Sequence, residues 1–289
     1  FTSHNLSEDE PLSEQPYESL QLDFACAVAE GGDALGSVEC EQGDVLYLAL
    51  EDNVRRLQDR MHKLRGEDTE WPTRLSFAVD CPKLDEGGIE YIQNWIASVE
   101  RPSLIIIDTF QNIRGKRDTR DSPYEGDYRA IQAISDVVTH NGAMALMLVH
   151  HTRKQEAEDP LDAISGTQGI SGAADSAMIL QRDGNGTTLY ARGRDIEEVN
   201  HAVRFSNFKW QVEGDAEQVR QSDQRRQVMD ALTSIGEAGP KEIADKTSIS
   251  HDFAKKILPR MVSKGQIEKV GQGRYALAQC DETQEMLTG

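Results

Sequence analysis

The first fifty residues contain no lysine and no arginine; the first lysine is Lys63 and the first glycine is Gly31. That excludes a Gly-x-x-x-x-Gly-Lys-Ser/Thr phosphate loop from this stretch, whose backbone N–H groups and lysine would cradle a polyphosphate. Cysteine is scarce. Cys26, Cys40, Cys81 and Cys280 are scattered without metal-ligand spacing or a secreted disulfide framework, so reduced thiols and a cytoplasmic location are expected. No apolar run is long enough to span a membrane, and no signal peptide is visible. Basic charge is short overall: the 289 residues carry a net charge of −19. The deficit lies in residues 1–222, with 21 basic and 40 acidic side chains, whereas 223–278 hold ten basic and seven acidic ones. The larger region is therefore no general polyanion binder, while the smaller one suits contact with phosphate backbones.

What is present is a set of short apolar runs that end in polar groups. Leu104-Ile105-Ile106-Ile107 stops at Asp108-Thr109. Asp44 to Leu50 stops at Glu51-Asp52, and Ala143 to Val149 stops at His150-His151. Runs this short and apolar read as strands buried on both faces, as in a parallel sheet. Ligands of such sheets sit beyond the carboxyl ends of the strands. Asp108 alone reads equally as a helix cap. Three such ends on one edge suit phosphoryl chemistry, which needs a group to orient water, an acid for Mg²⁺ and a polar sensor of the transferred phosphate.

Around these strands the chain alternates in a regular way. Residues 1–18 are polar and acidic, with two prolines, and are read as an irregular arm. Leu20 to Val28 is helical, ending at Gly31-Gly32. Helices are expected at 54–64, 85–99 and 124–139, a strand at 74–79, and polar loops at 111–123 and 152–164. Further strands are expected at 176–180, 188–191 and 202–205. Helix–strand alternation predicts an α/β domain with a mainly parallel sheet over 19–212. Residues 213–224 turn polar and are read as a linker, 225–278 as three helices and a hairpin around Gly271-Gln272-Gly273, and 279–289 as a tail. Three helices and a hairpin in this length form a winged helix-turn-helix pattern.

The runs LYLALED, LIIIDTF and LVHHTRK, followed by Ser165-Gly166 to Ala173-Ala174-Asp175, resemble RecA-like ATPases of the RepA, DnaB and KaiC group. The resemblance is nearest to RepA-type replicative helicases and related AAA-family ATPases of plasmids and mobile elements, and covers about residues 19–210. It implies a three-layer RecA-like fold, ATP with Mg²⁺, assembly into a ring homo-oligomer, a hexamer in this family, and DNA as partner, with no membrane. In the family, the residue matching Glu51 is the general base and the one matching Asp108 orients Mg²⁺, with Thr109 beside it. His150 or His151 matches the γ-phosphate sensor. Arg194, with Arg192 as companion, matches an arginine finger reaching into the neighbouring subunit's site. Arg153 and Lys154 match a channel region that touches nucleic acid.

The chain departs from the family at the phosphate loop. Glu14-Gln15-Pro16-Tyr17-Glu18-Ser19 stands there; Ser19 falls at the hydroxyl position, and Glu18 would repel phosphate. This leaves two readings, an active ATPase or a catalytically silent relative that binds DNA or serves as a scaffold. The C-terminal region resembles the winged-helix modules attached to these ATPases. In it Lys255, Lys256 and Arg260 would face phosphates from a recognition helix, and Lys269 and Arg274 from the wing; the other reading is a protein-interaction module.

Overall fold

The computed structural model describes residues 15–116, 122–140, 142, 144–151, 160–163, 168–183 and 186–278. Arg153, Lys154, the acidic arm as far as residue 14 and the tail from residue 279 lie outside them. In chain order the helices are α1 (Gln15–Glu30), α2 (Val54–Arg65), α3 (Gly88–Ser98), α4 (Phe110–Ile113), α5 (Pro123–His140), α6 (Gln168–Ala173), α7 (Ala216–Ile235), α8 (Pro240–Lys246) and α9 (His251–Ser263). The strands are β1 (Asp33–Ala34), β2 (Val38–Glu39), β3 (Asp44–Ala49), β4 (Leu75–Ala78), β5 (Pro102–Asp108), β6 (Ala145–Leu148), β7 (Ser176–Asp183), β8 (Gly186–Gly193), β9 (Val199–Ser206), β10 (Lys209–Asp215), β11 (Glu237–Ala238), β12 (Ile267–Gly271) and β13 (Arg274–Leu277). The chain divides into two compact units, 1–213 and 214–289.

In the first unit β4-β3-β5-β6 form a parallel sheet with β3 and β5 at its centre. Alternation within these strands feeds two cores. Leu46, Leu48, Ile105 and Ile107 pack with Ile92 and Ile96 of α3 and Ile131 and Ile134 of α5. Val45, Tyr47, Ala49, Leu104 and Ile106 pack on the other face with Leu22, Ala25 and Ala29 of α1 and Leu57 and Met61 of α2. A sheet covered on both faces explains why its central strands read as continuous apolar runs. β3 and β5 run in register from Val45↔Leu104 to Ala49↔Asp108, so their carboxyl ends lie side by side.

Three expectations need correction. The strands after residue 175 do not extend the parallel sheet. β10-β9-β8-β7 make a separate four-stranded sheet, with β7–β8 and β8–β9 antiparallel. Short connections force this: hairpin turns join antiparallel strands, whereas parallel ones need a long crossover. Its core holds Leu189, Val203 and Trp210 with Leu35. The arm read as 1–18 gives way at Gln15, where α1 already begins. The segment 213–224 is not a linker: it completes β10 and forms the first turns of α7, capped by Asp215, whose side chain accepts from Gln218 N at 2.9 Å. Polarity there marks a solvated helix face.

The second unit holds α7, α8 and α9 with an antiparallel sheet ordered β11-β13-β12. One core joins Val228 and Leu232 of α7, Ile243 of α8, Ile257, Leu258 and Met261 of α9, and Ile267 and Tyr275 of the hairpin. β11 went unread in the sequence because it is two residues long.

Candidate functional site

The carboxyl ends of β3, β5 and β6 meet through backbone bonds: Leu50 N donates to Asp108 O at 2.6 Å, Val149 N to Ile107 O at 2.9 Å and Phe110 N to Val149 O at 3.2 Å. They bring together Glu51, Asp108, Thr109 and His151. The peptide between Asp108 and Thr109 is cis.

Asp108 ends β5. Its Oδ2 accepts a hydrogen bond from the Tyr47 hydroxyl at 3.0 Å, sent across from the fully buried ring on β3. Burial raises the Asp108 carboxyl above the usual aspartate range; the Tyr47 bond opposes this and the charges of Glu51 and Asp52 add to it. Burial and the Asp108 charge hold the Tyr47 phenol well above its ordinary value, so it stays protonated as the donor.

Glu51 stands one strand over. Thr109 Oγ1 donates to its Oε1 at 2.7 Å, and Asn112 Nδ2, from α4, approaches the same oxygen at 3.3 Å. His151 Nε2 lies 3.4 Å from Oε2. Arg56 donates to the Glu51 carbonyl at 2.6 Å and pairs with Asp52, which also pairs with Arg60. Asn53 caps α2 by accepting from Arg56 N at 3.0 Å, which fixes the turn carrying Glu51 and Asp52.

Other expected residues are placed elsewhere. Ser19 is buried early in α1. Arg194 is held on the Asp175 carboxylate at 3.3 Å and the Gly172 carbonyl at 3.4 Å, and Arg192 is exposed on β8, opposite Ala177. His150 follows β6 and is partly buried. Lys255, Lys256 and Arg260 are exposed on α9, Lys255 within 3.7 Å of Asp252, and Lys269 is exposed on β12. Arg274 is engaged within its own unit, donating to Glu242 at 3.2 Å and to the Glu237 carbonyl at 2.6 Å.

Sequence reasoning missed Tyr47 and Asn112. Tyr47 lies inside an apolar run and looks like core. Asn112 falls in a stretch read as loop. Its spacing was the available signal: three residues after Thr109 places it one helical turn further on.

Among the described residues no three His, Cys, Asp or Glu side chains converge as a metal cage. A single carboxylate at a strand end, as Asp108 is, instead fits the way Mg²⁺ is held, through one or two carboxylates plus waters and substrate phosphates. The residues present therefore fit the metal.

Residues 19–157 match the model of a family described as an AAA domain. Among solved structures, a DnaB-like replicative helicase, described together with its interactions with primase, superposes with a TM-score of 0.52 at 12% identity. That match covers 68% of this chain and 54% of the other, so the chain spans about half the length of that helicase. A second solved structure, an isolated ATPase domain, gives a TM-score of 0.47 at 12% identity, over 58% of this chain and 74% of the other. A comparison with curated proteins finds no match. The larger unit is thus an α/β domain of RecA-like fold. More narrowly, it has the fold seen in a DnaB-like replicative helicase, and the AAA-type match lies within it.

Proposed function

We propose that the first unit hydrolyses ATP at the edge formed by β3, β5 and β6. The further reading is a DNA-associated ATPase of RepA type, acting in the cytoplasm as a ring homo-oligomer, a hexamer, in replication of a mobile element. The observation that carries this is the pair of carboxylates, Glu51 and Asp108, on adjacent parallel strands with different environments. Asp108 is sunk beside a buried phenol; Glu51 is half exposed and hydrogen-bonded by polar side chains. Two acids so separated in environment take different roles. Asp108 is the residue to hold Mg²⁺. The ion, when bound, offsets charge on the phosphates.

Glu51 accepts the proton of the attacking water. The water oxygen bonds to the γ-phosphorus, the bridging P–O bond breaks, and ADP and phosphate leave. His151, beside Glu51 Oε2, is placed to sense the γ-phosphate, and Arg194 would be supplied to a neighbour's site after leaving Asp175. Arg153 and Lys154 would touch nucleic acid in the ring. The second unit is read as a winged helix, with Lys255, Lys256, Arg260 and Lys269 toward DNA.

The test is ATP turnover, measured by phosphate release together with binding of a fluorescent ATP analogue. Glu51→Gln should lower turnover by about 100-fold or more while analogue binding persists, and Asp108→Ala should abolish the Mg²⁺ dependence of binding. The silent reading is favoured by one specific observation, the Glu18-Ser19 pair standing where the family places lysine and a hydroxyl residue. Absence of analogue binding at millimolar concentration decides for it.

A further inference from the structure

Three cross-strand contacts converge on the Glu51 carboxylate, and they treat its two oxygens differently. Oε1 takes the Thr109 hydroxyl at 2.7 Å and the Asn112 amide at 3.3 Å; Oε2 faces His151 at 3.4 Å. We propose that Thr109 and Asn112 are positioning residues for the base: they occupy Oε1 and leave Oε2 as the oxygen that takes the proton from water. The inference rests on the ATPase reading of this site.

The physical argument is one of rigidity. A half-exposed glutamate just past a strand end has three side-chain torsions to explore. Its holders do not share that freedom. Thr109 is 1% exposed, directly after β5. Asn112 rides on α4, which is pinned by the buried Phe110 and Ile113 and whose Asn112 N donates to Thr109 O at 3.0 Å. Asn112 Nδ2 also approaches the Leu50 carbonyl at 3.4 Å, so it spans the turn into Glu51 from both sides. A carboxylate oxygen offers about two lone-pair sites; two donors fill Oε1, and proton transfer falls to Oε2. Thr109 immediately follows Asp108. One peptide unit therefore links the metal-holding acid to the holder of the base, so the two acids are registered to each other through covalent structure.

The test compares the full chain with Thr109→Val, Thr109→Ser and Asn112→Ala. Turnover, KM for ATP and crystal structures are measured, with circular dichroism to confirm folding. Thr109→Val and Asn112→Ala should lower kcat by about 10- to 100-fold, the scale of a misplaced reacting group, with KM unchanged. Thr109→Ser, which keeps the hydroxyl, should retain wild-type kcat. In the Thr109→Val crystal the Glu51 carboxylate should leave its present rotamer. Asn112 is partly exposed, so its variant serves if Thr109→Val fails to fold. A Glu51 carboxylate unmoved in both variants overturns the inference whatever the turnover, as does a changed KM with unchanged kcat. Wild-type protein without turnover overturns the ATPase reading, and with it the catalytic part of this proposal; the crystal comparison then decides the positioning alone.

Discussion

Asp108 sits in an environment that disfavours its charge. Burial holds its carboxyl above the usual range, so the folded protein binds that proton more readily than the unfolded chain does. A raised folded value contributes stability at pH below the unfolded value, and that contribution is lost as pH rises through the folded one. Where pH exceeds the folded value, the ionised Asp108 is therefore a local cost. Asp108→Asn keeps an acceptor for the Tyr47 hydroxyl and removes the charge. The variant should melt a few degrees above wild type at pH 7, and the gap should shrink as pH falls towards about 4, the ordinary aspartate value. Thermal melts of both proteins at pH 7 and pH 5 check this. Stabilisation with loss of Mg²⁺-dependent binding is the pattern of a functional residue that costs stability. Glu51, Asp108 and the histidine pair were legible because they interrupt apolar runs. Tyr47 and Asn112 were not, because their roles depend on cross-strand register and on a one-turn helix, neither of which has a sequence period of its own.

At the scale of elements, legibility followed burial. β3 and β5 are covered on both faces and announce themselves as apolar runs. β6 is as apolar, yet among the described residues it ends the parallel ladder, with Ala145 exposed and its other side chains only partly buried. Three strands of the second sheet, β7, β8 and β9, read as strands; β10 did not, and neither did the pairing, since antiparallel order is set by turn length. α9 shows a local rule broken. Ser250 caps it, its side chain accepting from Phe253 N at 3.3 Å, while Pro259 stands inside it with no N–H for the Lys255 carbonyl. An interior proline costs about 3 kcal/mol relative to alanine; proline's stiffening of the unfolded chain returns up to about 1 kcal/mol. Pro259 is exposed, and the buried face of Ala254, Ile257, Leu258 and Met261 does not depend on it. Pro259→Ala should therefore stabilise the second unit by about 2 kcal/mol. Denaturant unfolding of the full chain, followed by hydrogen exchange in 240–278, measures it; an unchanged or lower protection there contradicts the argument.

On the scale of the whole molecule, charge is unevenly spread along the chain, and the basic excess is confined to 223–278, a stretch inside the second unit, whose 11 basic and 12 acidic side chains nearly balance over 214–289. Residues 1–222 carry almost twice as many acids as bases, and 223–278 carry a small basic excess. For the proposed contact with duplex DNA, the acidic excess of 1–222 would repel phosphate, so attraction would have to come from cations within 223–278. Affinity then follows counterion release, with a slope of about −0.9 in log K against log salt per phosphate neutralised. Lys256 and Arg260 are exposed on α9 and so are placed to contribute. Arg274 is not equivalent, since it is tied to Glu242, whose carboxylate accepts from Gly239 N at 2.7 Å at the start of α8. Fluorescence anisotropy of a labelled duplex across a salt series should give each of Lys256→Gln and Arg260→Gln a slope smaller by about 0.9. Arg274→Gln should leave the slope as it is and lower the melting temperature, because its charge is spent inside the unit. If Arg274→Gln reduces the slope while the α9 variants leave it unchanged, the hairpin and not α9 is the face that meets phosphate.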